Sequence, residues 1–342
     1  MSMTLVMWVG FILASYSVVG NDVIQTLGTF LTSNEKKVKW YVLWAFASSI
    51  MVYALVSGYM NNDIDYGRLD KFDLDAVNYN WYYVLPPLVL LLITRSGIPV
   101  STTFMVLTLF SLNKIPGDLG SMVSSVFDTD AKLGGMIYKS ILGYIIAFSS
   151  AIVIYLLITR LTEKKFIENP VTDKARPFWM VAQWLITGFL WFQWLTQDLA
   201  NIYVYLKGGE GLSTGGFAFS LFILVGLLGY IFYQAGGKVQ NVVREKTSTA
   251  DIRSATFIDL IYGIILYIFK YNYFDLFEAK LPMSTTWIFI GLLAGREIGI
   301  RLNLEKKLSK ATAGMVFADL GKVFFGLLVS VILVFIIKLI GG

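Results

Sequence analysis

The chain has 342 residues, 56% hydrophobic and 15% charged, with a net charge of +5 and a mean hydropathy of +0.66. It holds no Cys and no His, which excludes disulfides, thiolate metal centres and the commonest general base, so proton or cation chemistry falls to carboxylates, hydroxyls, amides and carbonyls. Apolar runs such as Phe217–Tyr233 are continuous instead of alternating, which excludes a β-barrel and leaves an all-α polytopic membrane protein.

In chain order, the first predicted span is Met3–Leu31, broken in the middle by Gly20-Asn21-Asp22. No Lys or Arg precedes its apolar start and no small-residue cleavage site follows, so it is expected to remain as a span and not to be removed as a signal peptide. Val38–Met60 is the second span. Trp81–Ile93 and Val100–Leu112 come next, each 13 residues, or roughly 20 Å as helix against a hydrocarbon core of about 30 Å. Arms this short predict a re-entrant hairpin with its tip, GIPVSTT (97–103), at membrane depth. Gly135–Ile158 is the third span, and the basic stretch Arg160–Pro177 then divides the chain. The second half repeats the plan, with spans Phe178–Leu206, Phe217–Gln234 and Val316–Ile340 and a second hairpin bearing LPMSTT (281–286). The expected organisation is a first repeat (1–160), a cytoplasmic linker (161–177) and a second repeat (178–342).

Each half has an odd number of crossings, so the second is inverted relative to the first, the plan of many secondary transporters. With the N-terminus outside, the loops 34–39, 160–177, 238–253 and 295–312 carry 17 Lys and Arg, against 5 in 61–79, 113–135 and 207–216. This bias places the first set in the cytoplasm and both termini outside a cytoplasmic or inner cell membrane. It also accounts for the net charge as orientation and leaflet contact, leaving no case for nucleic acid. Aromatic clusters at Trp81-Tyr82-Tyr83 and at Trp191 and Trp194 read as interfacial belts.

The repeat is visible in residues too. Asp22 precedes Ser101 by 79 positions, and Asp198, after Gln197, precedes Ser284 by 86. In P-x-S-T-T, proline suits the first turn of a helix, and the amides after it lack intrahelical acceptors at the positive end of the helix dipole. Ser101, Thr102 and Thr103, with Ser284, Thr285 and Thr286, would then surround a tetrahedral oxyanion from two sides. Hydroxyls in membrane helices also back-bond to their own helix, but two copies in register with an intramembrane carboxylate favour the binding role. Carboxylates at Asp22 and Asp198 are costly in lipid unless paired or solvated, and with amide oxygens they offer hard ligands to an alkali cation. Arg95, beside the first tip, is a candidate oxyanion ligand. Asp259, near the start of the second hairpin, and Asp319 are weaker candidates, whose alternative is an interfacial position with Asp319 pairing to Lys322 on one helix face.

At these residues the chain resembles the inorganic phosphate transporter family, ion-coupled symporters with GANDVANxxGT-like and PVSTTH-like motifs in each repeat. VGNDVIQTLGT (19–29) retains Asn21, Asp22, Val23, Gly28 and Thr29, with Gln25 in place of the later Asn. TQDLANIYVY (196–205) retains Asp198, Ala200 and Asn201 but has Gln197 and lacks the glycines. PVSTTF and PMSTTW depart at Phe104, Met283 and Trp287. The resemblance implies phosphate held by Ser101–Thr103 and Ser284–Thr286, with sodium or protons around Asn21, Asp22, Gln25, Gln197, Asp198 and Asn201. It implies no further cofactor, no enzymatic activity, and a symporter working by alternating access. The partners expected are phosphate or sulfate, sodium or a proton, the bilayer and, as one option for assembly, a second copy in a homodimer. Alternatives left open are a sulfate or other oxyanion permease, an intramembrane aspartyl hydrolase and a passive channel.

Overall fold

The computed structural model describes residues 2–34, 37–70, 72–96, 98, 100–115, 117–158, 163–234, 251–271, 284–304 and 310–341. Among them every regular element is helical: α1 (Met3–Asn34), α2 (Trp40–Met60), α3 (Leu85–Arg95), α4 (Thr102–Leu107), α5 (Leu119–Phe127), α6 (Lys132–Ile158), α7 (Glu163–Glu168), α8 (Arg176–Asp198), α9 (Ala200–Tyr203), α10 (Thr214–Tyr233), α11 (Ile252–Tyr271), α12 (Thr285–Leu304) and α13 (Lys310–Gly341). Six stretches are long and apolar enough to cross a bilayer, within α1, α2, α5–α6, α10, α11 and α13. The chain is a multi-pass membrane protein by this measure. Large apolar side chains such as Leu157, Phe222 and Phe317 lie 70–75% exposed on α6, α10 and α13, a surface suited to lipid.

Four expectations need correction. α1 is not broken at Gly20–Asp22 but runs as one helix, because the Asn21 and Asp22 side chains bond sideways to other elements and leave their own backbone intact. The predicted span Phe178–Leu206 is divided at Leu199 into α8 and α9, although Leu199 keeps helical dihedrals, and the chain leaves helical geometry at Leu206. The arms of the second pair, α11 and α12, are 20 residues each, about 30 Å of helix, in contrast to the 11 and 6 residues of α3 and α4. The segment joining α11 to α12, including Pro282 and Met283, lies outside the described residues, as does Pro99. Finally, Trp191 and Trp194 are not belt residues: both are 1% exposed and stack inside the molecule with ring centroids 4.8 Å apart.

The packing crosses between the halves of the sequence. α3 packs on α1 and α11 on α8, while α4 packs on α13 and α6 on α12. The last pairing is the tightest, because α12 presents Gly291, Gly295 and Gly299 at four-residue spacing toward α6. A β-carbon at Gly295 would lie 2.2 Å from the Phe148 carbonyl oxygen, and one at Gly291 2.6 Å from that of Tyr144. Small residues at this spacing let membrane helices approach backbone to backbone. α11 is the interior helix of the set, with 72% of its apolar window buried against 28–33% for those of α5–α6, α10 and α13.

Candidate functional site

Ser101 and Ser284 are helix N-caps. The Ser101 hydroxyl accepts from the Phe104 amide at 3.2 Å, and the Ser284 hydroxyl from the Trp287 amide at 3.4 Å. The helices therefore begin at Thr102 and Thr285, three residues later than a proline at the first helical position would require. This satisfies one orphan amide at each helix start and leaves those of the two threonines after each cap without helical acceptors.

The two tips meet. The Val100 carbonyl accepts from Asn21 Nδ2 of α1 at 2.6 Å and from Thr286 Oγ1 of α12 at 3.3 Å. Thr102 Oγ1 donates to Asp22 Oδ2 at 2.6 Å, and Asn21 Nδ2 approaches Asp22 Oδ1 at the same distance. Across the cluster, Asn201 Nδ2 donates to Asp198 Oδ1 at 2.8 Å, lies 3.0 Å from Thr102 Oγ1 and is within 3.3 Å of Thr103 Oγ1. Thr103 Oγ1 lies 3.5 Å from Asp198 Oδ1. Asp198 and Asn201, three residues apart across the α8–α9 junction, lie on one helical face and meet the same tip. Asp22 and Asp198 are thus joined through Thr102 and Asn201. Tyr262 of α11 donates to the Thr285 carbonyl at 3.2 Å, and the Ser284 amide donates to Ser140 of α6 at 3.1 Å, tying the second tip to its neighbours.

All of these motif residues, with Gln25 and Gln197, are at least 96% buried. Among the described residues nothing donates to Asn21 Oδ1, Gln197 Oε1, Asp198 Oδ2 or Asn201 Oδ1, and Gln25 Nε2 has no acceptor. Unsatisfied buried acceptors cost about 1–3 kcal/mol each. Gln197 points its amide to the Gln193 and Leu266 carbonyls, so Asn21 Oδ1, Asp198 Oδ2 and Asn201 Oδ1, with the Asp22 carboxylate beside them, make the donor set that fits a hard monovalent cation. Groups of three or more acidic, His or Cys side chains able to hold a metal are absent among the described residues, so amides and hydroxyls would have to complete the shell.

Arg95 does not join the cluster. It is exposed, with its guanidinium 5.9 Å from the Tyr16 ring centroid. The cationic side chain that does approach is Arg68, from the loop after α2, whose Nε donates to the Gln197 carbonyl at 3.2 Å within electrostatic reach of Asp198. No local motif marks Arg68; the acidic residues around it hide it among loop charges. Asp319 is paired with Lys322 at 3.7 Å on one helix, as the sequence predicts. Asp259 is not interfacial but 1% exposed, between α1 and α8.

The Arg68 loop is docked by Asp65, which is 9% exposed and accepts from the Leu69 amide at 2.7 Å, beside the turn at Gly208. Burial pushes the Asp65 carboxyl up to about 6, with Asp63 adding to the rise and the Leu69 amide opposing it. The folded value lies above the ordinary 3.8, so the folded loop holds a proton that the unfolded chain releases between the two. The stability this group confers is complete below pH 3.8 and is lost as pH rises through about 6. Amide exchange at Leu69, taken relative to its intrinsic rate, is therefore expected to be slower at pH 4.5 than at pH 7. Asp65→Asn is expected to flatten that difference; an unchanged pH dependence in the variant would assign it to another group.

Neither a family model, nor a curated protein, nor a solved structure matches this chain.

Proposed function

We propose that the protein is a cation-coupled symporter of inorganic phosphate in the cytoplasmic membrane, with sodium or a proton as the coupling ion. The observation that carries this reading is the convergence of Asn21-Asp22, Asp198, Asn201 and both S-T-T tips in one buried cluster, where three acceptor oxygens lack donors among the described residues. Such oxygens suit a cation, and the amides of Thr102, Thr103, Thr285 and Thr286 suit an oxyanion beside it. A bound cation lowers the cost of the two neighbouring carboxylates and of the anion, which is the physical basis of coupling.

The packing pairs support an inverted repeat. α1 with α3 corresponds to α8 with α11, and α4 with α13 corresponds to α12 with α6, which is the exchange a pseudo-two-fold axis produces. The short α3 and α4 support a re-entrant hairpin in the first half. The resemblance of VGNDVIQTLGT and PVSTTF to the phosphate transporter family supports the substrate class. Phosphate is preferred to sulfate because monohydrogen phosphate can donate its proton to a free carboxylate oxygen, and Asp198 Oδ2 is one.

The test is uptake of radiolabelled phosphate and sulfate into proteoliposomes with an imposed sodium or proton gradient. Phosphate accumulation above the outside concentration, driven by one of the gradients, is expected. Accumulation of sulfate alone would reassign the substrate, and equilibration without accumulation would make the protein a channel.

A further inference from the structure

α1 carries Asp22, Thr26, Thr29 and Ser33 at spacings of four, three and four residues, a single helical face. All four are at most 3% exposed. α8 answers with Gln183 and Thr187, both 0% exposed. Gln183 Nε2 donates to Ser33 Oγ at 2.6 Å and Gln183 Oε1 accepts from Asn34 at 2.8 Å. Midway along this row sits Asp259 of α11, which accepts from Thr29 Oγ1 on one oxygen and from Thr187 Oγ1, at 2.6 Å, on the other. Thr29 is seven residues from Asp22, so Asp259 lies about 10 Å from the central cluster along α1, toward the end at Asn34.

The charged groups on the elements packed around Asp259 are engaged elsewhere. Arg296 of α12 donates to Ser254 Oγ and lies over the Tyr155 ring. Arg253, on the same helix as Asp259, pairs with Asp251 and donates to the carbonyls of Phe166 and Asn169. The nearest acidic groups along α1 and α8 are Asp22 and Asp198, in the central cluster. Lys164 and Glu168 of α7 pair with each other, and Tyr262, one turn along α11, donates to Thr285. Asp259 has no ion pair among the described residues. Two hydroxyls and one carboxyl are too few oxygens for an alkali ion, which commonly takes more, whereas a single proton neutralises the group.

The opposite half of the molecule has no counterpart. Superposing Asp22 on Asp198 in the sequence puts Tyr205 where Thr29 stands and Phe11 where Thr187 stands. Both are 0% exposed; Tyr205 lies against Gly10 with its hydroxyl on the Tyr83 carbonyl, and Phe11 packs edge-on to Tyr203. One side of the central cluster is aromatic and the other is a polar row.

We propose that Asp259, with Thr29 and Thr187, is a proton-binding site on the route between the central carboxylates and the Asn34 end of α1. This rests on the symport reading only for its role in coupling; the binding itself does not. The proton adds to a carboxylate oxygen, one threonine hydroxyl turns to accept from the new O–H, and the proton leaves from the same oxygen when the row next carries it on.

The test is pH-difference infrared spectroscopy of the full chain in lipid nanodiscs, combined with proton movement in proteoliposomes. A protonated-carboxyl C=O band is expected that is lost in Asp259→Asn and shifted in Thr187→Val, which removes one hydrogen bond and keeps the carboxyl. If Asp259→Asn does not fold, the Thr187→Val shift decides. Spectra identical to wild type in whichever variants fold would overturn the proposal. In vesicles, phosphate-dependent proton movement is expected to disappear in Asp259→Asn, and its persistence at the wild-type rate would overturn the coupling role. A wild type that moves no phosphate would sink the symporter reading and leave the infrared result to decide Asp259.

Discussion

Asp198→Asn is expected to reduce gradient-driven phosphate uptake about tenfold to a hundredfold while the protein stays folded. Losing contacts made by a charged group costs about 1.5–3 kcal/mol, and each 1.4 kcal/mol is tenfold in an equilibrium. The geometry makes this the cleaner of the two aspartate variants. Asp198 Oδ1 accepts from Asn201 and Oδ2 accepts nothing, so an amide nitrogen fits at Oδ2 without facing a donor. At Asp22 both oxygens accept, from Asn21 and from Thr102, so Asp22→Asn places an NH2 against one of those donors. Asp22→Asn should therefore lose thermal stability as well as uptake. Uptake measured in proteoliposomes, beside a melting curve for each variant, separates the two effects. Wild-type accumulation in Asp198→Asn would remove the carboxylate pair from the coupling scheme.

The second large effect is on assembly of the fold. Gly295→Ala is expected to destabilise the protein by about 1–3 kcal/mol or more, although alanine in a helix interior is intrinsically favoured over glycine by about 1 kcal/mol. The added methyl would sit 2.2 Å from the Phe148 carbonyl oxygen and 2.9 Å from the Ala151 side chain, and a backbone oxygen cannot rotate away. α6 and α12 must then separate, loosening Ser284, which Ser140 of α6 holds. Gly226→Ala on α10, where a β-carbon would meet nothing within 4 Å, is the control and is expected to be neutral or slightly stabilising. Equal melting temperatures for the two variants would show that the close approach of α6 and α12 is not limiting.

Hydropathy was enough to place α2, α6, α10 and α13 within a few residues, because lipid imposes continuous apolar runs on helices that face it. The same logic failed for the interior helices. α8 carries buried Gln183, Gln193 and Gln197 that bond inside the molecule, and α12 buries Arg296 and its threonines against other helices, so their composition no longer reports length. The motif residues of the cluster were legible because two copies in register carry more information than one. Arg68 has no second copy and no motif to mark it, and Asp259, a lone carboxylate without a second copy, reads from sequence only as a weaker candidate. The glycine spacing at 291, 295 and 299 is visible in the sequence, but a stripe of small residues names no partner; only the facing carbonyls of α6 do. The serine caps show a different limit: a hydroxyl in a motif serves the backbone first when an orphan amide lies three residues on.

The clasp of α6 by α12 has a kinetic implication for any cycle of opening and closing. The final helix of one half is locked, backbone against backbone, to a helix of the other half, and α4 packs on α13 across the linker as well, while α3 stays on α1 and α11 on α8. Any rigid unit that contains α6 must accordingly contain α12, so it draws on both sides of the linker.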